Sequence, residues 1–509
     1  MKTRTAWQRW LPWALVGLIF VARVVPGPRT IDDAFITFRY ARNLLNGYGL
    51  VFNPGEHVLG TTTPFYALWM AFLGLFTGGG QAPFPWLALL TNALADALTA
   101  WLIMRLARRV GYPLAGYAFA AAWAVAPWSV TFAIGGMETS VYILWLTLTA
   151  VAYAEGRFAL AFFAGGLSLL TRPDALILLL PLGADYLWRQ RKSGWKTWLR
   201  DLLPGSALVA AWGLYATAYY GSPVPHSLVA KQQVYHLAPI EATIRLLQHY
   251  ASPFLLYHWL SPRFLMVGLV LWGFLALVGA RALYQREPRL WPWLAFPWLY
   301  FAAFAVAHPL IFRWYLTPPL PPYFFSILTG AVVLLQKIPQ PVFRRAALGI
   351  ALFAVPFLSP LGTWQLHPDH GLDRPAPEMA WYKLELLYHR AAAFLEPRLQ
   401  PDPLVYTVAA ADVGVLGYDT RARILDLAGL NSPETLAYFP LPSSAYVINY
   451  AVPAEAIRSA QPDYIVILEV YGRETLLQAP WFWQEYTLLA DFPTDIYGSR
   501  GMLIFGRKP

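Results

Sequence analysis

Apolar stretches long enough for a membrane-spanning helix, about 20 residues, recur through the first 360 positions and are separated by short polar breaks. The pattern predicts about eleven spans, near 11–28, 84–104, 114–132, 139–154, 157–171, 174–188, 202–220, 264–280, 291–307, 318–336 and 346–360. A further apolar run, 64–77, reads as a re-entrant or surface helix. The pair covering 157–188 can also be read as one kinked element, because Pro173 in "TRPD" removes a backbone donor. From about 361 the texture changes. Strand-length runs such as "PLVYTVAA", "DYIVILEV" and "MLIFG" alternate with helical pieces such as "APEMAWYKLELLYHRAAAFLE". The expected fold is an α-helical integral membrane protein over 1–360, followed by a small α/β domain over 361–509.

Composition agrees with a membrane protein: 57% of the 509 residues are apolar, 16% aromatic and 13% charged. The first apolar run follows Lys2, Arg4 and Arg9, is long, and shows no small-residue cleavage pattern before Asp32, so it reads as a retained anchor. Cytoplasmic loops carry the excess of Lys and Arg. With the N-terminus inside, 18 of the 27 basic residues up to position 360 fall on the cytoplasmic side, "WRQRKSGWKTWLR" being the densest segment. An odd number of spans then puts the C-terminal domain outside, in a plasma (inner) membrane setting. Residues 1–360 carry 27 basic against 11 acidic groups, whereas 361–509 carry 11 against 17. The overall charge of +10 therefore reflects membrane topology, and no basic-aromatic surface pattern argues for nucleic acid.

The chain has no cysteine, which excludes disulfides, thiolate nucleophiles and Cys-ligated metals. It lacks a phosphate-cradling Gly-rich loop ending in Lys-Ser or Lys-Thr, and an HExxH pair. What remains is a set of charges that the expected topology gathers on the outer face: Asp32, Asp33, Arg39 and Arg42 in the first loop, Glu138 in "GGMETS", Arg172 and Asp174 in "LTRPDA", Lys231 in "PHSLVAKQQ", and Arg313 in "FRWYL". Ionisable groups near a bilayer line cavities or pair with one another, so their shared depth points to one polar pocket, suited to a reaction with an anionic leaving group.

Each also has a structural reading. Thr30-x-x-Asp33 fits a capping box. Arg39 and Arg42 could meet lipid headgroups, Arg172 and Asp174 could simply pair, and Lys231 and Arg313 could snorkel to the interface. Asp96 inside the second span, near Asn92, reads as an interhelical hydrogen bond, and Asp185 as a helix-end partner of Arg189. Asp412 and Asn431 stand out as candidate contacts of the C-terminal domain without a catalytic pattern around them.

"DDAFITFRYARNLLNGYGLVFNPGEHVLGTTTPFYALWMAFLGL" resembles the first outer loop of membrane glycosyltransferases of the GT-C superfamily, and most strongly the branch of the mycobacterial terminal arabinofuranosyltransferases. "GGMETSVYIL", "LLTRPDALILLLP", "GSPVPHSLVAK", "FRWYLTPPLP" and "ADVGVLGYDTRARILDLAGLNSPE" extend the resemblance along most of the chain. It implies a GT-C-like fold and inverting transfer of a sugar, such as a pentofuranose like arabinose, from a polyprenyl-phosphate donor to an extracytoplasmic glycan, lipid or protein acceptor. By that resemblance Asp32 is favoured as the general base, with Asp33 positioning the acceptor, a metal or Asp32 itself. Arg172, Lys231 and Arg313 become the donor-phosphate ligands, and Arg39, Arg42, Glu138, Asp174 and Tyr315 line the substrate pocket. The participation of a divalent metal stays open. Two other classes stay open as well: a lipid or sugar transporter or flippase, which should show paired hydropathy repeats, and a non-catalytic membrane scaffold working through the C-terminal domain.

Overall fold

The computed structural model describes residues 6–254, 262–366, 373–380 and 383–509. Helices α1 (Ala6–Val24), α2 (Asp32–Leu45), α3 (Pro64–Leu75), α4 (Phe84–Arg109), α5 (Pro113–Val125), α6 (Pro127–Ile134), α7 (Thr139–Ala154), α8 (Phe158–Thr171), α9 (Leu176–Arg189) and α10 (Trp195–Tyr220) make the first half. They are followed by α11 (His226–Val234), α12 (Glu241–Ala251), α13 (Pro262–Arg286), α14 (Trp291–Ala307) and α15 (Leu320–Leu335). The helical part closes with α16 (Pro341–Gly349), a π-helical stretch over Ile350–Leu358, and α17 (Ser359–Leu361).

Each of the eleven predicted segments is largely helical, and the chain is an integral membrane protein. Among the described residues, however, five helices are long and apolar enough to cross a bilayer, or six if α5 and α6, bent by 51°, make one span. The bend falls at Ala126–Pro127, where the Pro cannot continue the preceding ladder. The run at 64–77 is the 12-residue α3, which starts at Pro64. The 157–188 segment is two helices. Arg172 takes extended angles (φ −156°, ψ 136°) between α8 and a short 3₁₀ turn at Pro173–Ala175, as expected of a residue before proline.

Several charged groups inside the helical part are paired, and backbones approach closely where glycine permits. Arg23 donates to Asp96 (2.9 Å) and to the carbonyls of Trp123 and Ala124 (both 2.8 Å), while Ser129 and Trp123 donate to the same carboxylate. Asp96 is thus an interhelical hydrogen-bond centre, although Asn92 spends its amide elsewhere, on Ala133 and Met137. Arg189 meets Asp185 at 2.6 Å, one helical turn away. Helices α13 and α15 cross at Gly279 and Gly330: a Cβ at Gly279 would lie 1.8 Å from the Ser326 carbonyl, so only glycine allows this contact.

The C-terminal part begins with an antiparallel pair, β1 (Trp364–Gln365) and β2 (Ala376–Pro377). The helix expected from Ala376 onward does not include Ala376 and Pro377, which form β2; it is described as α18 (Lys383–Leu395). Then come β3 (Thr407–Ala410), α19 (Gly414–Thr420), β4 (Arg423–Asp426), α20 (Ala454–Ala460), β5 (Tyr464–Leu468), β6 (Tyr486–Pro493) and β7 (Gly501–Arg507). They form one sheet of order β4-β3-β5-β7-β6. Strands β4, β3 and β5 are parallel, and β7 and β6 add antiparallel. The crossover through α19 leads from β3 to one neighbour and the later one to its other neighbour, so the winding direction reverses at β3.

The first loop fastens this sheet to the helices. Edge strand β4 would leave backbone groups open, and Asn53 covers them: its amide donates to the Ile424 carbonyl (2.9 Å) and its oxygen accepts from the Ile424 N–H (3.0 Å). Beside it, Arg423 meets Glu56 at 2.6 Å.

Candidate active site

Helix α2 divides the predicted charges by face. With 3.6 residues per turn, successive side chains point about 100° apart, so Asp32 and Asp33 leave the helix on different faces. Asp33, Ile36 and Thr37 line a cavity of about 400 Å³. Asp32 faces the sheet, with Arg39 seven residues on.

The predicted capping box is not formed. Ile31 is the N-cap of α2 and makes no side-chain cap bond. Instead the two parts of the protein cap each other. The Asp32 N–H donates to Glu385 of α18 (3.2 Å), and the Asp32 carboxylate accepts the N–H groups of Gly414 (2.9 Å) and Val415 (2.8 Å) at the start of α19. Residue 414 must be glycine for this approach, since a Cβ there would sit 1.8 Å from the Asp32 carbonyl oxygen. Asp32, expected as the general base, thus joins α2 to α18 and α19 and is not among the residues lining the cavity that holds Asp33.

Arg39 and Arg42, expected in the substrate pocket, are not among the residues lining the Asp33 cavity; they line a separate one beside α19. Arg39 is buried, donates to the carbonyls of Phe52 (2.6 Å) and Ala422 (2.7 Å) and to the Asn53 side chain (3.1 Å), and lies over the Phe52 ring. Arg42 donates to the Tyr418 carbonyl and lies over its ring. Both belong to the interface with α19 and β4 because their aromatic and carbonyl partners are there.

The Asp33 cavity does gather five of the other predicted residues: Glu138, Arg172, Asp174, Lys231 and Tyr315. Arg172, held extended by Pro173, forms a two-point pair with Asp174 (3.0 and 3.1 Å) and reaches Glu138 (3.3 Å). Its guanidinium lies between the rings of Tyr142 and Tyr315, and Tyr300 donates to Asp174 (3.1 Å). Two carboxylates thus already meet the Arg172 charge. Lys231 is held differently, its ammonium 4.9 Å from the Phe312 ring centroid and 6.0 Å from that of Tyr315. Burial works against that charge, but the fields of Tyr315 and Asp33 outweigh it and keep its pKa above the ordinary value. Burial raises the Asp33 pKa, with Lys231 pulling the other way.

Arg313 is elsewhere. It lines a second cavity, of about 390 Å³, with Glu385 and Asp412, so it is not placed with Lys231. Sequence reasoning also missed the hydroxyls of Thr61, Thr62 and Thr63, which line the first cavity. Thr63 Oγ1 is 3.1 Å from Thr61 Oγ1 and 3.4 Å from Thr37 Oγ1. The run "GTTTPF" was the available signal, since three hydroxyls before a helix-opening proline have no apolar function. Among the described residues, no group of three or more His, Asp or Glu is placed to hold a metal ion.

Residues 378–505, the α18-to-β7 portion, match a family described as a domain of unknown function (DUF8728). Two curated relatives carry the name terminal beta-(1->2)-arabinofuranosyltransferase. The one from Corynebacterium glutamicum is 28% identical over 227 residues, 39% of this chain and 32% of that protein. The one from Mycobacterium tuberculosis is 30% identical over 225 residues, 39% of this chain and 34% of that protein. The alignment thus spans about a third of the length of these relatives. Among solved structures, ArnT from Cupriavidus metallidurans bound to undecaprenyl phosphate superposes with a TM-score of 0.57 at 12% identity, covering 99% of this chain and 98% of that one. The resemblance is borne out: the curated relatives are named terminal arabinofuranosyltransferases, and the fold is shared with ArnT.

Proposed function

We propose that this chain is a membrane glycosyltransferase that moves a sugar from a polyprenyl phosphate to an acceptor hydroxyl on the extracytoplasmic face, with the N-terminus inside and the sheet outside. The observation that carries the reading is the joining of a half-buried carboxylate, Asp33, and a cation that makes no ion pair among the described residues, Lys231, in one cavity, on the fold of a protein solved with undecaprenyl phosphate. The names of the relatives favour arabinofuranose as the sugar.

In the proposed step the acceptor oxygen attacks the anomeric carbon while Asp33 takes the hydroxyl proton, and the bond from that carbon to the phosphate oxygen breaks with its electron pair leaving on the phosphate. A base whose pKa is raised towards neutrality is better matched to this task than an ordinary aspartate. Lys231 offers the departing phosphate a point charge in a site with low dielectric. Arg172, pinned by Asp174 and Glu138, sets the local potential and the shape of the wall. One displacement at the anomeric carbon inverts its configuration.

The test is turnover by the purified chain of a panel of undecaprenyl-phosphate sugars that includes arabinofuranose. The expected outcome is product with inverted configuration and stoichiometric release of undecaprenyl phosphate. Movement of the intact lipid across the bilayer with no sugar transfer would replace this reading with a transporter.

A further inference from the structure

The second cavity is separate from the one just described but shares a wall with it, since Leu310, Phe312 and Trp314 line both. The turn into α2 also stands between them, Ile31 lining one and Asp33 the other. From the sheet it receives Ala411 and Asp412 after β3, Ala428 after β4, and Tyr471 after β5. It therefore opens at the carboxyl ends of three parallel strands, where the winding reverses about β3. Open α/β sheets bind their ligands in that crevice, because the two crossovers leave in opposite directions and leave it uncovered.

Its lining is chemically unlike that of the donor cavity. Tyr235, Tyr450, Tyr471 and Tyr497 present aromatic surface, and Asp412 and Glu385 present carboxylates. Arg245 and Arg313 share the lining with those two acids. Four of its polar atoms are buried without a hydrogen-bond partner among the described residues: Thr131 Oγ1, Arg245 Nε, Glu385 Oε2 and the Tyr450 hydroxyl. Leaving such groups unpaired is costly, and a ligand rich in hydroxyls would pair them. A sugar also carries flat C–H faces that lie against aromatic rings, whose faces are electron-rich. The volume falls within the range of small-ligand sites, about 300–1,000 Å³.

We infer that this cavity is the acceptor subsite, that it takes the terminal sugars of a carbohydrate, and that it presents a hydroxyl across the Phe312–Trp314 wall to Asp33. The inference rests on the glycosyltransferase reading and assigns a role to the sheet, which matches a family of unknown function. The Asp412 carboxylate, held by the hydroxyl of Tyr388 at 2.8 Å, accepts hydrogen bonds from the sugar, and Tyr450 donates one.

The experiment measures binding to the full-length chain in detergent, by saturation-transfer NMR, of octyl arabinofuranosyl and mannopyranosyl disaccharides, with undecaprenyl phosphate measured separately. Tyr450→Phe removes only a hydroxyl that has no partner among the described residues, so its thermal midpoint should not fall. Its disaccharide affinity should fall about fivefold, one hydrogen bond. Asp412→Asn should lower that affinity about tenfold, and neither change should alter undecaprenyl-phosphate binding. Equal disaccharide affinity in the wild type and both variants would overturn the assignment, as would displacement of the disaccharide by undecaprenyl phosphate. Binding of undecaprenyl phosphate with no binding of either disaccharide would overturn the subsite and leave the donor reading intact.

Discussion

Asp32 and Asp33 are neighbours in sequence and strangers in space, and their variants should separate accordingly. Asp32→Asn leaves one oxygen where two backbone N–H groups are held, so it should lower stability by about 1–3 kcal/mol, the cost of a weakened charged hydrogen bond. A thermal melt checks this, and an unchanged midpoint would contradict the docking role. Glu385 gives a pH signature. Burial pushes its pKa up to about 8, against the N–H of Asp32 that it accepts, with the charges of Asp412 and Asp33 reinforcing the rise. The folded state then binds the proton more tightly than the unfolded state. The stability from this group is fully present below about pH 4.5 and is lost as pH rises through about 8, at no more than about 1.4 kcal/mol per unit. Glu385→Gln should flatten the fall in thermal midpoint over that window, and an unchanged slope would contradict it. The sequence displays two acids at a membrane exit. It does not display their division, which depends on what each helix face meets, and Asp32 meets a backbone 382 residues away.

Elements explain the rest of what could and could not be read. The apolar runs mark nearly every helix of the first 361 residues, because burial in lipid or protein demands the same composition. That sameness is also why composition cannot count spans: α5, α6, α7 and α8 are apolar but short. The cavity residues Glu138, Arg172, Asp174 and Lys231 were legible because each sits at a helix end, and helix ends share a depth. Arg39, Arg42 and Arg313 sit at similar depths, but their partners are in the sheet, which no local pattern announces. Pro173 tests the link between element and site. Pro173→Ala relaxes the extended geometry that aims Arg172, so transfer should slow on the order of tenfold while stability changes by less than about 1 kcal/mol. Transfer at the wild-type rate would show that the break between α8 and α9 does not position the cavity.

At the scale of the whole molecule, a helical membrane part supplies a carboxylate and a cation in one cavity, and a sheet lies against it through Asp32, Arg39 and Asn53. The proposed orientation has its own check. A reporter fused after Pro509 should be extracytoplasmic and one inserted near Lys192 cytoplasmic, and the opposite placement of either would contradict an outer-face site. The central claim is that Asp33, in the cavity shared with Lys231, takes the acceptor proton during transfer from a polyprenyl phosphate. Single-turnover transfer of labelled sugar from undecaprenyl-phosphate arabinofuranose, with donor binding measured in parallel, tests it most directly. Asp33→Asn should slow the transfer step by roughly 10²-fold or more with donor affinity little changed, and transfer by that variant at the wild-type rate would contradict the account.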